Sequence, residues 1–262
     1  MTQQAGSIDS PEALVAGAVA IARHRLADAD HRLTAAALQA YADKVLSRVR
    51  SGRPKALLAH LHDILFEEGG FRGNTADYYA IDNSLLPAAL ATRRGLPIIL
   101  SLIYKSVADR VGLRAWGLAL PGHFMAGVEV EGDVLIIDPF HGGRELSRDE
   151  AHDHIRRVLG EEIEWTDDYL LPASHRQWLT RIIQNLLNGF AAAEQFNDVA
   201  AMLELEMLLW PEEERLKRDL ALVLARCGLS VPASQWLDRY LRDNPDDPQR
   251  GDLQQLLGVL GG

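Results

Sequence analysis

The sequence predicts an α+β domain followed by an all-α helical array. Apolar residues recur at helical spacing over 11–65 and again from 174 onward, while short apolar or alternating runs separated by turn residues occupy 114–138. A polar stretch at 166–173 separates the two parts, giving expected domains of 11–165 and 174–260. In a chain of 262 residues, 47% hydrophobic and 24% charged, each part has enough apolar side chains for a core.

In chain order, Ser10 is an N-cap and Pro11 a first helical residue, with Leu14, Ala18, Ile21, Ala22 and Leu26 as one stripe. A second helix begins near Thr34 and ends at Ser51-Gly52-Arg53-Pro54. A third carries Leu57, Leu58, Leu61, Ile64 and Leu65 to Gly69-Gly70. The Gly-, Asn- and Asp-rich segment 71–84 reads as loop, and 85–92 as a short helix. Gly95 closes that helix or supplies a positive φ. Pro97 then opens a helix that is apolar on most faces, the expected central helix, which Gly112 ends. Strands follow at 114–120, 123–130 and 134–138, the last two joined at Glu131-Gly132-Asp133. Ser147 caps a further helix through Leu159. Breaks at Trp210-Pro211, Gly228 and Asn244-Pro245 divide the C-terminal part into antiparallel helices of tetratricopeptide-like length.

The formal net charge of −10 argues against a nucleic-acid partner, because phosphate contacts need clustered Lys and Arg, and against anionic membranes. No apolar run approaches the roughly 20 residues that span a bilayer, and Met1–Ser10 lacks the pattern of a signal peptide. A single cysteine makes no internal disulfide, so the expected location is the cytoplasm. Nothing in the sequence calls for a cofactor.

The order turn, helix start, strand with His123, hairpin and strand ending in Asp138 is the layout of a nucleophile–histidine–aspartate site, as in cysteine hydrolases of papain and transglutaminase type. A thiolate at a helix N-terminus attacks, an imidazole moves the proton, and a carboxylate orients the ring. Here the nucleophile position is Pro97, which has no attacking atom. Two registers remain open. A loop over 129–132 sets His123 opposite Asp138 with Cβ atoms roughly 5 Å apart, whereas a turn on Gly132-Asp133 separates them by on the order of 13 Å. Singly, His123 is explained by packing beside Pro121, and Asp138 by turn initiation before Pro139. Together, after a Gly-Leu-Pro helix start, they point to a site. Asn83, Arg94 and His141 are candidate groove residues, with ordinary loop hydrogen bonding as the competing reading. Ser101 faces the same way as Pro97, but its hydroxyl is expected to bond the carbonyl four residues back. Cys227 lies on an apolar stripe and is expected to be a buried thiol. A metal set of His123, Asp138 and His141 is set aside, because no close His pair at ligand spacing supports it.

The segments Gly73-Asn74, Asp77-Tyr78-Tyr79, Asn83-Ser84, Arg93-Arg94-Gly95-Leu96-Pro97-Ile98, Pro121-Gly122-His123-Phe124 and Ile137-Asp138-Pro139-Phe140-His141-Gly142-Gly143 resemble the bacterial SirB-one family, as do Arg218-Asp219-Leu220 and 243–248. The resemblance implies a transglutaminase-like domain followed by tetratricopeptide-like helices. His123 and Asp138 would occupy its second and third catalytic positions, with Pro97 in place of Cys. Ala126-Gly127 departs from the family, where a larger, often basic pair is usual. The resulting expectation is a non-catalytic module that binds a protein or peptide, or serves regulation. The alternative is a hydrolase or acyltransferase that uses the His123–Asp138 dyad on water or on a substrate nucleophile.

Overall fold

A computed structural model of the chain describes residues 10–160 and 164–261. They form two compact units, the first ending at Ile182 and the second beginning at Ile183.

In the first unit, α1 (Pro11–Ala22) starts at the expected cap: Ser10 Oγ accepts the Ala13 N–H at 3.1 Å, satisfying one donor that a helix start leaves open. The second helix, α2 (His31–Arg48), begins before Thr34 because Asp30 is the cap, its carboxylate accepting the N–H groups of Arg32 and Leu33. Helix α3 (Pro54–His62) continues into a wide π-type turn at Asp63–Glu68 and buries Leu57, Leu58, Leu61, Ile64 and Leu65. After a two-residue strand β1 (Arg72–Gly73), the short α4 (Leu86–Thr92) ends on Arg93, whose φ of 60° is the left-handed turn expected at Gly95. Gly95 instead sits in β2 (Arg94–Gly95), which pairs in parallel with β1.

Helix α5 (Pro97–Arg110) is central: every residue from Pro97 to Ala108 is buried. It packs on α1 to α4 and on an antiparallel sheet, so an all-round apolar sequence is what its position requires. That sheet is a meander of β3 (Ala115–Leu118), β4 (Met125–Val130), β5 (Asp133–Asp138) and β6 (Arg144–Leu146). Strands β4 and β5 are joined through Glu131 and Gly132, with φ of 54° and 95°. Two positive φ values in a two-residue loop match the twist of the flanking strands. Val130 thus faces Asp133, and Ala126 faces Ile137. This register is neither of the two expected. It places His123 outside β4, in the segment that follows the Pro121-Gly122 turn.

Helix α6 (Arg148–Leu159) begins with a reciprocal Ser147–Glu150 cap. Its Ala151 and Ile155 cover Leu118, Met125, Ile136 and Leu146 of the sheet, together with Trp165, Tyr169 and Leu170. The stretch 166–173 is therefore part of the first unit and not a free linker. Trp116 Nε1 donates to the Leu170 carbonyl at 3.1 Å, and the Ala173 N–H donates to that of Gly117 at 2.9 Å. The division falls later, within α7 (His175–Ala192), because Trp178 is buried against Phe124 with ring centroids 4.4 Å apart. Gly117 makes room for it: a Cβ there would stand 2.3 Å from the indole.

The second unit contains α8 (Phe196–Leu209), α9 (Glu214–Arg226), α10 (Ser230–Asp243) and α11 (Arg250–Leu260), each packed on the next, with breaks where the sequence places them. The fold is thus α+β with a C-terminal helical array. Met202, Leu203 and Glu206 form the buried side of α8, which leaves Leu208 78% exposed. One expectation changes here. Cys227 caps α9 and is half-buried, because the helix ends before it and turns it off the Leu216, Leu220, Leu224 stripe. Among the described residues, no helix is long and apolar enough to cross a membrane.

Candidate functional site

Asp138 ends β5, and Pro139 stops the ladder beyond it. Its side chain caps the short 3-10 turn Pro139–His141: Oδ1 accepts the N–H groups of Phe140 at 3.0 Å and His141 at 3.3 Å. His123 Nε2 lies 3.1 Å from the same Oδ1, and His141 Nδ1 lies 2.7 Å from Oδ2. An ionised carboxylate only accepts, so both rings donate to it. Burial would raise the Asp138 carboxyl, but the hydrogen bonds from His123 and His141 hold it well below the usual carboxylate range. The bond to Asp138 raises His141 in turn. His123 and Asp138 are both buried, whereas the His141 side chain is 49% exposed.

A fourth group joins them. The His154 ring on α6 has its centroid 4.4 Å from that of His123, and burial, aided by His123, pushes its pKa down to about 4. Asp138, His141, His154, Arg144 and Arg157 share the lining of a cavity of about 210 Å³. His154 was missed in the sequence. The available signal was the α6 stripe, since Ala151 and Ile155 turn the neighbouring position 154 toward the sheet side.

The expected dyad is formed, but by a different route. With Ala126 opposite Ile137, Asp138 falls level with Met125, so His123 reaches it from beyond the end of the strand. Pro97 is buried at the first position of α5. Ser101 is fully buried and its hydroxyl donates to the Phe124 carbonyl at 3.3 Å, not to the one four residues back. Phe140 stands edge-on to His123 at 5.8 Å, and Tyr78 edge-on to Phe140 at 5.9 Å. Gly73 permits this cover, since a Cβ there would lie 2.3 Å from the Phe140 ring.

Of the three candidate groove residues, only His141 faces the cavity. Asn83 is buried and holds the preceding loop: its Nδ2 donates to the carbonyls of Asp77 and Tyr78, and its Oδ1 accepts from Asn74. Arg94 donates to the carbonyls of Gly70 and Arg93, bracing β2. Both are struts, as the loop-bonding reading has it. The departure at Gly127 has a packing reason, because a Cβ there would stand 2.7 Å from the Trp116 indole. Chemically the site orients two imidazoles around one carboxylate. His123, Asp138 and His141 also offer ligand atoms within 4.8 Å of one another, so the spacing objection to a metal set applies to the sequence and not to the folded chain.

Residues 33–184 match the model of the transglutaminase-like superfamily. A UPF0162 protein of Xylella fastidiosa is 33% identical over 253 residues, 93% of this chain and 89% of its own length. The UPF0162 protein of Pasteurella multocida is 27% identical over 206 residues, 79% of this chain and 78% of the relative. Mouse F-box only protein 21 is 25% identical over 172 residues, covering 61% of this chain but 26% of that protein. No solved structure matches the chain. With a superfamily match over most of the first unit and a close relative along nearly its whole length, the chain belongs to the transglutaminase-like superfamily, together with the UPF0162 proteins.

Proposed function

We propose that this protein is a transglutaminase-like module without covalent catalysis, acting in regulation through a protein or peptide partner, with its C-terminal part a tetratricopeptide-like array of the SirB-one kind. The observation that carries the reading is the site's composition. The proton-handling pair is assembled at 3.1 Å, while the position at the start of α5 that should attack is a buried proline. The successive helices of 11 to 14 residues in the second unit support the array. The match to only about a quarter of a longer animal protein supports modular use of the domain.

The intact dyad favours one competing reading, a hydrolase or acyltransferase in which His123 acts as base on water. General-base assistance gives about 10² to 10⁴-fold, and it needs an imidazole nitrogen open to substrate. Phe140 stands edge-on to that ring, with Tyr78 edge-on to Phe140 behind it, which weighs against it. The test is hydrolysis of amide and thioester probes by the full chain. The expected result is the buffer rate, unchanged by His123→Ala. A rate above buffer that disappears in His123→Ala overturns the proposal.

A further inference from the structure

We propose that His123, Asp138, His141 and His154 form a binding site for one divalent transition-metal ion of the zinc class. The inference goes beyond the module reading and does not depend on it.

Its basis is geometric. Around an ion with bonds of about 2.0–2.1 Å, neighbouring ligand atoms stand about 3 Å apart. Here His123 Nε2 lies 3.1 Å from one Asp138 oxygen and His141 Nδ1 lies 2.7 Å from the other, with the three donors within 4.8 Å of one another. The three donors need only draw closer together to share a common centre. The second observation is independent of these hydrogen bonds. His154 Nε2 is shielded from solvent and has no hydrogen-bond partner among the described residues, although its ring is 4.4 Å from that of His123 and 6.1 Å from that of His141. Buried polar atoms in folded proteins almost always have partners, and an ion held by the other groups would be the partner this nitrogen lacks.

The donor set selects the metal. Three imidazoles and one carboxylate suit zinc, cobalt or nickel, whereas calcium and magnesium take oxygen ligands. On binding, each ligating ring presents a lone pair and carries its proton on the other nitrogen. Asp138, His141 and His154 border the cavity, which gives the ion an entry path and room for a water molecule. The N–H groups of Phe140 and His141 that hold Asp138 would remain as the outer support of the ligand.

The experiment uses the full chain after treatment with a chelator, titrated with Co²⁺ and then with Zn²⁺. The expected result is a saturable visible Co²⁺ absorption that Zn²⁺ abolishes, with a midpoint of thermal unfolding raised by Zn²⁺. His141→Ala and His154→Ala should each weaken binding by at least about 10-fold, whereas His31→Ala, an exposed residue at the start of α2, should leave it unchanged. Far-UV circular dichroism reports folding of each variant, and His141→Gln takes the place of any His141→Ala protein that fails to fold. Absence of the Co²⁺ spectrum, or equal affinity in wild type and both site variants, overturns the proposal. Because the readout is binding, a negative result leaves the hydrolysis test of the module reading untouched.

Discussion

Two histidines of the first unit, His62 half-buried and His123 buried, meet different partners and become different chemical objects. His62, at the end of α3, pairs through Nε2 with the Tyr104 hydroxyl on α5 at 2.9 Å, with Phe66 against both rings. Burial pushes His62 down to about 4 and pushes Tyr104 up, so at neutral pH the pair is an uncharged hydrogen bond inside the core. His123 has a carboxylate partner instead, one held ionised by the same hydrogen bonds it accepts. A phenol makes an imidazole part of the packing, whereas a carboxylate makes it a hydrogen-bond donor to a charged group. Burial alone does not mark a site; the chemistry of the partner does.

The sharpest way to break this contrast is to remove the carboxylate. Asp138→Ala strands two ring donors and two backbone N–H groups, and should cost about 3–5 kcal/mol in urea unfolding, as for a buried charge pair deprived of one member. Asp138→Asn keeps an acceptor and should cost less. The second test is pH. The folded chain keeps His62 neutral down to about 4, while the unfolded chain takes up that proton below the ordinary 6.5. Acid therefore favours unfolding across this window, by up to about 3 kcal/mol. His154, also held to about 4, acts in the same window, so His62→Phe should reduce the loss between pH 6.5 and 4 without abolishing it. The depressed carboxyl of Asp138 acts in another range. Its contribution is complete above 3.8 and is lost only as pH falls below that value. Unfolding midpoints measured against pH separate the two.

The cover over His123 gives a smaller effect. Gly73→Ala places a methyl 2.3 Å from the Phe140 ring and should destabilise the fold by about 1–3 kcal/mol, with a changed near-UV aromatic spectrum. The smallest effect is expected at Ser101. Replacing it with Ala removes one neutral hydrogen bond to the Phe124 carbonyl, worth about 1 kcal/mol. A larger change on the dyad side, such as a shifted His123 resonance without loss of stability, would mean that the hydroxyl belongs to the site after all.

How much of this was legible follows the range of the interactions. The caps at Ser10 and Ser147, the Pro97 helix start and the breaks at Gly228 and Asn244-Pro245 depend on neighbours in sequence, and they stand where residue types place them. The short strand β6 escaped notice because it has three residues and one buried side chain, and exists only by pairing with β5. The left-handed residue after α4 is Arg93, because glycine's tolerance for positive φ does not oblige it to adopt one. His123 and Asp138 were readable as a pair from residue type and element order. Their meeting depended on a register that turned on a single residue of the hairpin loop.

The sequence by itself determined the helical punctuation, the α+β order of elements, the acidic balance and the lack of an attacking atom at Pro97. Each is fixed by residue identity or by contacts a few positions along the chain. The tertiary structure decided which imidazoles surround Asp138, that His154 is among them, that aromatic rings cover His123, and that the first unit extends to Ile182. Those outcomes depend on how strands, helices and indole rings share space across long sequence separations, where local preference carries no information about which partner arrives.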